Sequence, residues 1–199
     1  MKKILIDCGH GKNTPGKRSP IWKTGLQLFE WAYNREIGKK VVSQLQEKGI
    51  LATLVVTEDD DISLAQRVKR VNEICEQVGK QNVLLISIHC NASVKPNTGT
   101  GWEAYTSEGE TKADEYADIF YKHAMIKLSD FKIRKGNSVE HLNKEARFAI
   151  LVHTKCPAIL TENLFMDNEK DCLFLLSDAG KKAIIDLHVD AITEICNLK

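Results

Sequence analysis

The sequence predicts one α/β domain with a largely parallel sheet, and three observations carry that expectation. Short apolar runs of strand length alternate with longer segments of helical period along the whole chain. Val83 to Ile88 is a continuous β-like run. The length of 199 residues with 43% apolar content suits a single core, and no internal repeat or low-complexity linker divides it.

Taken in order, Ile4-Leu5-Ile6 reads as a short buried strand. A helix follows from about 28 to 48, stopped by Gly49, and Leu51 to Thr57 reads as a strand. The second helix, from about 63 to 78, places Leu64, Val68, Val71, Cys75 and Val78 at helical spacing. Val83 to Ile88 is the next strand, Gly101 to Thr106 another, and a helix runs from about 111 to 128. Pro157 precedes a short strand at Ala158 to Thr161. From about 168 onward the chain reads as helical, with a break near Asp178-Ala179-Gly180. The stretch from about 129 to 146 is polar, rich in Lys and Arg, and without clear period; it reads as a loop or a small insertion over a site.

Charge and composition exclude several function classes. With 28 Lys+Arg against 27 Asp+Glu the net charge is +1, whereas a general nucleic-acid binder carries a large basic excess. Apolar runs such as Val83-Leu84-Leu85-Ile86 stop far short of the ~20 residues that span a bilayer. Lys2-Lys3 resembles the start of an export signal, but the run Ile4-Leu5-Ile6 ends at Asp7, below the ~7–15 apolar residues of a signal core. The chain is therefore expected to be made as a soluble cytoplasmic protein. The six cysteines, Cys8, Cys75, Cys90, Cys156, Cys172 and Cys196, include no Cys-x-x-Cys pair and read as small apolar residues in a reducing compartment.

Chemistry collects at a few positions. His10 follows the first strand, His89 ends the most apolar one, and Glu162 ends the strand after Pro157. Ligands of open α/β sheets gather outside the carboxyl ends of strands, so three ionisable groups at three such ends converge if those strands are neighbours. In the first helix the apolar stripe Ile37, Val41, Leu45 extends backwards through Asn34 to Glu30. An inward carboxylate there is either paired, bound to a metal, or set against the helix dipole. Two histidines and one carboxylate are a common catalytic zinc set that leaves a position for water. His123 and His188 lie inside predicted helices with no partner at metal spacing, His141 and His153 flank the segment without clear period, and Asp59-Asp60-Asp61 reads as a solvated capping turn. Arg67 and Asn72 read as ties between helix and loop, and Asn91 either orients a ligand or makes a turn. The segment Arg134-Lys135-Gly136-Asn137 reads as a solvated basic face or as a contact for substrate carboxylates.

At these residues the chain resembles the zinc-dependent N-acetylmuramoyl-L-alanine amidases of the amidase-3 type over nearly its whole length. The resemblance runs through Ile6-Asp7-Cys8-Gly9-His10-Gly11, Glu30 with Asn34, Leu64-Ala65-Gln66-Arg67 with Asn72, and Ser87-Ile88-His89-Cys90-Asn91-Ala92. It continues through Gly101, Glu103 and Tyr105 to Cys156-Pro157-Ala158-Ile159-Leu160-Thr161-Glu162-Asn163-Leu164-Phe165 and Asn168. It implies a twisted sheet of about six strands flanked by helices, with residues 1–199 as a single catalytic domain. It also implies one zinc ion per chain held by His10, Glu30 and His89, with Glu162 as the catalytic glutamate. Where the family usually has Pro this chain has Cys8, and Cys90 replaces an often smaller residue. A thiol beside each histidine could compete for metal or make the site sensitive to oxidation.

The substrate implied is peptidoglycan or a muropeptide, cut at the amide between the lactyl group of N-acetylmuramic acid and L-alanine. Zinc-activated water is the implied nucleophile, with Glu162 as general base and then acid. A zinc peptidase or amidohydrolase acting on another peptide would carry the same metal set and differ only in its pocket. A catalytically dead wall-binding module would not need all four residues. The absence of a signal and of a wall-binding repeat leads to the expectation of an endolysin-like enzyme. Such an enzyme is made in the cytoplasm and reaches the wall after release or by another export route.

Overall fold

The computed structural model describes residues 2–198. Six strands form one sheet: β1 (Lys3–Cys8), β2 (Ala52–Leu54), β3 (Val83–Asn91), β4 (Glu103–Thr106), β5 (Lys144–Glu145) and β6 (Ala158–Phe165). Six α-helices accompany them: α1 (Glu30–Glu47), α2 (Leu64–Val78), α3 (Lys112–Lys127), α4 (Ala149–Val152), α5 (Glu169–Leu176) and α6 (Asp178–Cys196). The sheet order is β2-β1-β3-β6-β4-β5. The strands β2, β1, β3 and β6 run parallel, and β4 joins β6 antiparallel at the far side. The chain moves outward from β1 to β2 and then returns past β1 to β3, so the strand order reverses between β1 and β3. A doubly wound sheet opens a crevice at such a reversal, outside the carboxyl ends of the strands.

Helices cover both faces, which is why the central strands read as unbroken apolar runs. Ile4, Ile6 and Cys8 of β1 and Leu84, Ile86 and Ile88 of β3 face the larger core, shared with α1, α3 and α6. Leu5 and Leu85 point the other way, into a smaller core completed by Val71 and Cys75 of α2, Ile150 and Leu151 of α4, and Leu160. The α1 stripe is buried as its spacing predicts: Glu30, Asn34, Ile37, Val41 and Leu45 all face inward. Gly49 adopts φ +76 just past that helix, the left-handed conformation that glycine takes without penalty. Ser63 caps α2 by accepting from the Gln66 amide. Ser177 separates α5 from α6 and caps the latter by accepting from the Gly180 amide.

The expected elements are all present, with shifted ends. β3 continues past Ile88 through His89 to Asn91, and β6 continues past Thr161 to Phe165, so His89 and Glu162 sit within strands rather than at their ends. A register irregularity between His89 and Asn91 marks where the β3–β6 ladder loosens. The region from 129 to 146 contains the two-residue edge strand β5, and Ile133 bridges to Trp102; pieces this short carry no readable period. No helix among the described residues is long and apolar enough to cross a membrane.

His188 of α6 is fully buried beneath β6. Its Nδ1 lies 2.8 Å from the Ile184 carbonyl oxygen, which can only accept, so Nδ1 carries the proton; the Thr161 hydroxyl lies 2.9 Å from Nε2. Burial holds this imidazole neutral, with its pKa lowered from 6.5 to about 4. A depressed folded-state pKa means that the unfolded chain takes up the proton first, so stability is full above pH 6.5 and is lost as pH falls toward 4. Urea unfolding at pH 5 is expected to show about 2 kcal/mol less contribution from this residue than at pH 7. The pH dependence of His188→Gln is expected to be flatter by that amount; an unchanged dependence would contradict the assignment.

Candidate metal centre and active site

Three polar side chains meet in the crevice between β1 and β3. His10 lies just past β1, Glu30 opens α1, and His89 is on β3; one potential ligand atom from each lies within 4.8 Å of the others. The Glu30 carboxylate is 1% exposed. Its Oε1 is 3.2 Å from His89 Nδ1 and accepts from the Cys90 amide at 3.1 Å. Its Oε2 is 3.4 Å from His10 Nε2 and forms no hydrogen bond. The two imidazoles meet edge to face with ring centres 5.0 Å apart. A buried carboxylate whose two oxygens each face an imidazole nitrogen, one of them without a hydrogen bond, is an arrangement that a divalent cation completes.

The electrostatics are set by burial and by these neighbours. Burial pushes the Glu30 carboxyl up, but the hydrogen bond and charge of His89, then the charge of His10 and the Cys90 amide, outweigh it and hold the group below its usual value. His10 is lowered from 6.5 to about 4, chiefly by burial, against the opposing pull of Glu30. It is therefore neutral at pH 7, the form in which an imidazole binds metal.

Local structure explains why these residues converge. His10 adopts φ +63, a left-handed conformation that costs a non-glycine residue roughly 1–2 kcal/mol. Two buried arginines hold it there. The His10 carbonyl accepts from Arg35 Nη1 at 2.9 Å and from Arg67 Nη2 at 3.1 Å. Arg67 also bonds Asp7 Oδ1, the Cys8 carbonyl, Asp61 Oδ1 and the Ile62 carbonyl, all within 2.9 Å. Behind it, Asp7 Oδ2 accepts from the Ser87 hydroxyl at 2.6 Å, tying β1 to β3 under the site. Gly9 is required by close approach, because a Cβ there would collide with the His89 ring.

Glu162 stands beside this group. Its register partner on β3 is His89 and its partner on β4 is Glu103, so the three side chains share one face of the sheet in a transverse row. Burial raises the Glu162 carboxyl from 4.5 to about 7, assisted by the charges of Glu30 and Glu103 and opposed by those of His89 and Lys17. Its Oε2 is buried without a hydrogen bond. Asn163 donates to the His89 carbonyl at 3.0 Å and accepts from Trp102 Nε1 at 3.0 Å, fixing the two strands against each other. A cavity of about 190 Å³, bordered by His10, His89, Asp61, Arg67 and Ile150, opens from the histidines to solvent.

The remaining polar residues fall into place around this centre. Asn72 bonds the His153 carbonyl and the Lys155 amide, the helix-to-loop tie its position suggests. His123 pairs with Glu194 and His141 with Asp118, both remote from the crevice. Asp61 does more than line a solvated turn, since it bonds Thr14 and Arg67. Asn91 donates to Glu103 at 2.7 Å. The thiols beside the histidines turn away from the centre. Cys8 packs against Gly38 of α1 and burial pushes its pKa up to about 12, while Cys90 faces Asn34 and burial holds its thiol well above the usual value. Neither is a reactive thiolate at neutral pH. Arg35 carries no signal in the sequence beyond its place next to inward-facing Asn34.

Arg67→Gln leaves Asp7 buried without its cation and frees the His10 carbonyl from one of its two donors. Loss of one partner from a buried pair costs about 3–5 kcal/mol, so chemical denaturation should show a stability loss of that order. A loss within about 0.5 kcal/mol, typical of surface substitutions, would contradict the clamp.

Comparison with known proteins shows the family and the fold. Residues 4–194 match the profile of the family described as N-acetylmuramoyl-L-alanine amidase. The chain is 30% identical to the N-acetylmuramoyl-L-alanine amidase CwlM of Bacillus licheniformis, over all of this chain and 70% of that protein. It is likewise 30% identical to the endolysin of Bacillus phage SPP1, over all of this chain and 67% of that protein. The crystal structure of an N-acetylmuramoyl-L-alanine amidase from Clostridium difficile 630 superposes with a TM-score of 0.81 at 24% identity, covering 100% of this chain and 98% of that one, and so shares the fold. A match across 4–194 is nearly the whole sequence, and the chain belongs to the N-acetylmuramoyl-L-alanine amidase family.

Proposed function

We propose that this chain is a zinc-dependent peptidoglycan hydrolase that cleaves the amide between the lactyl group of N-acetylmuramic acid and the L-alanine of the stem peptide. The observation that carries this reading is the meeting of His10, Glu30 and His89, from three separated parts of the chain, next to a carboxyl group raised toward neutrality. The donor set, two imidazoles and one carboxylate with an unpartnered oxygen, fits zinc and leaves coordination for water or substrate. When bound there, zinc supplies Lewis-acid polarisation of the amide carbonyl and lowers the pKa of water to about 7.

The protein's own groups do the rest. Glu162 accepts the proton of the attacking water and returns it to the departing alanine nitrogen. Such a positioned acid–base residue contributes roughly 10²–10⁴-fold. Arg35 and Arg67 act as positioning residues by holding the His10 backbone. The strand pairing of β3 with β6 fixes Glu162 beside His89 without help from any flexible loop.

His10→Ala should lose both stoichiometric zinc and activity, as read by metal analysis of the purified protein. Glu162→Gln should retain zinc while turnover of purified muropeptides falls about 10²–10⁴-fold. Release of intact stem peptides with a free L-alanine amino terminus identifies the bond. Products cut elsewhere in the peptide would favour a zinc peptidase and overturn the reading, and full zinc in His10→Ala would overturn the ligand assignment.

A further inference from the structure

The transverse row on the sheet does not stop at Glu162. The next residue across, Glu103, is buried and fully engaged. Its Oε1 accepts from Asn91 at 2.7 Å and from the Tyr105 hydroxyl at 2.8 Å. Its Oε2 accepts from Arg134 Nε at 2.6 Å and from the Lys144 ammonium. One carboxylate is thus matched with two cations, which leaves a surplus positive charge beside the active site. Arg134 uses only Nε in this contact, and among the described residues its two terminal amines form no hydrogen bond. Those amines are the forked donors that suit a carboxylate. The side chain is 30% exposed and borders an open cavity of about 320 Å³, together with Asn91, Ser93, Gly99 and Phe165.

Arg134 is also held rigidly, although it lies in the segment without periodicity. Its amide donates to the Trp102 carbonyl at 2.8 Å, its carbonyl accepts from the Tyr121 hydroxyl at 2.9 Å, and its guanidinium stands 5.1 Å from the centre of the Phe165 ring. A pre-ordered guanidinium loses little freedom on binding an anion. The spacing suits a peptide. Neighbouring strands are about 5 Å apart, so the Arg134–Glu103 pair lies roughly 5 Å beyond Glu162 and 10 Å beyond His89. Two extended residues span about 7 Å. A residue after the scissile alanine that carries an α-carboxyl group, free or amidated, would present it at this distance.

We propose that Arg134, seated on Glu103 beside Lys144, binds the free α-carboxylate of the residue that follows the scissile alanine and so sets the preference of the enzyme for acidic over amidated stem peptides. The proposal rests on the amidase reading. The test compares two muropeptides that differ only in that group, isoglutamate or isoglutamine, with kcat and KM measured on the zinc-loaded protein. The wild-type protein is expected to favour the acid by about 10- to 100-fold in kcat/KM, the range of a charge-assisted hydrogen bond to an ionised group. Arg134→Gln should bring that ratio to within about twofold of one, mainly by raising KM for the acid, while Arg134→Lys should keep part of it. Equal kcat/KM for the two substrates in the wild type overturns the subsite and leaves the amidase reading standing. An unchanged ratio in Arg134→Gln, with both substrates slowed alike, also overturns it and assigns Arg134 to the support of Glu103 alone. No cleavage of either muropeptide overturns the amidase reading and the subsite together.

Discussion

The carboxylate of Glu30 is the constraint on which the rest of the site depends. It is a charge carried into the interior on the first turn of α1, and an isolated buried charge costs several kcal/mol unless it is met by partners. One oxygen is met by the Cys90 amide and His89, and the other faces His10 with no hydrogen bond. The surrounding structure is arranged to keep it that way. The apolar stripe of α1 buries the helix against the sheet, so that Glu30 cannot swing out to solvent without unseating Ile37, Val41 and Leu45. The inward placement of this carboxylate is therefore built into the packing of the helix as well as into the identity of the three side chains that could hold a cation.

The sheet supplies the second half of the arrangement. Because the strand order reverses between β1 and β3, the loop after β1 and the end of β3 border one crevice, and α1 enters it from the side. His10 is the least regular of the three residues, at positive φ, and it is also the one gripped by two arginines. Strain at a functional residue is tolerated where neighbouring hydrogen bonds over-determine the backbone. His89 and Glu162 need no such clamp, since strand pairing places them side by side. The same pairing carries the row on to Glu103, so His89, Glu162 and Glu103 with its two basic partners follow one another across three strands.

Much of this is legible in the residues themselves. The inward register of Glu30 follows from helical spacing with Ile37 and Val41, and the positions of His10, His89 and Glu162 follow from apolar runs interrupted by an ionisable group. What the sequence leaves open is what depends on distant contacts. Strand ends are one case, because pairing with β6 extends β3 beyond its apolar run through His89 to Asn91. The two-residue strand β5 is another, since its place is set by pairing with β4 and no periodicity marks it. The roles of Arg35 and of Glu103 are a third, since each is defined by groups more than ten residues away. Cys8 and Cys90 illustrate the converse: next to histidines in sequence, their thiols point away from them in space.

The central claim is that one metal ion binds His10, Glu30 and His89 and no sulfur. Zinc-edge X-ray absorption on the zinc-loaded protein, joined to anomalous diffraction from its crystals, addresses this directly. The expected result is a single site in the β1–β3 crevice with only nitrogen and oxygen neighbours at about 2.0–2.2 Å. A sulfur neighbour at about 2.3 Å, or an anomalous peak away from these three residues, would contradict it.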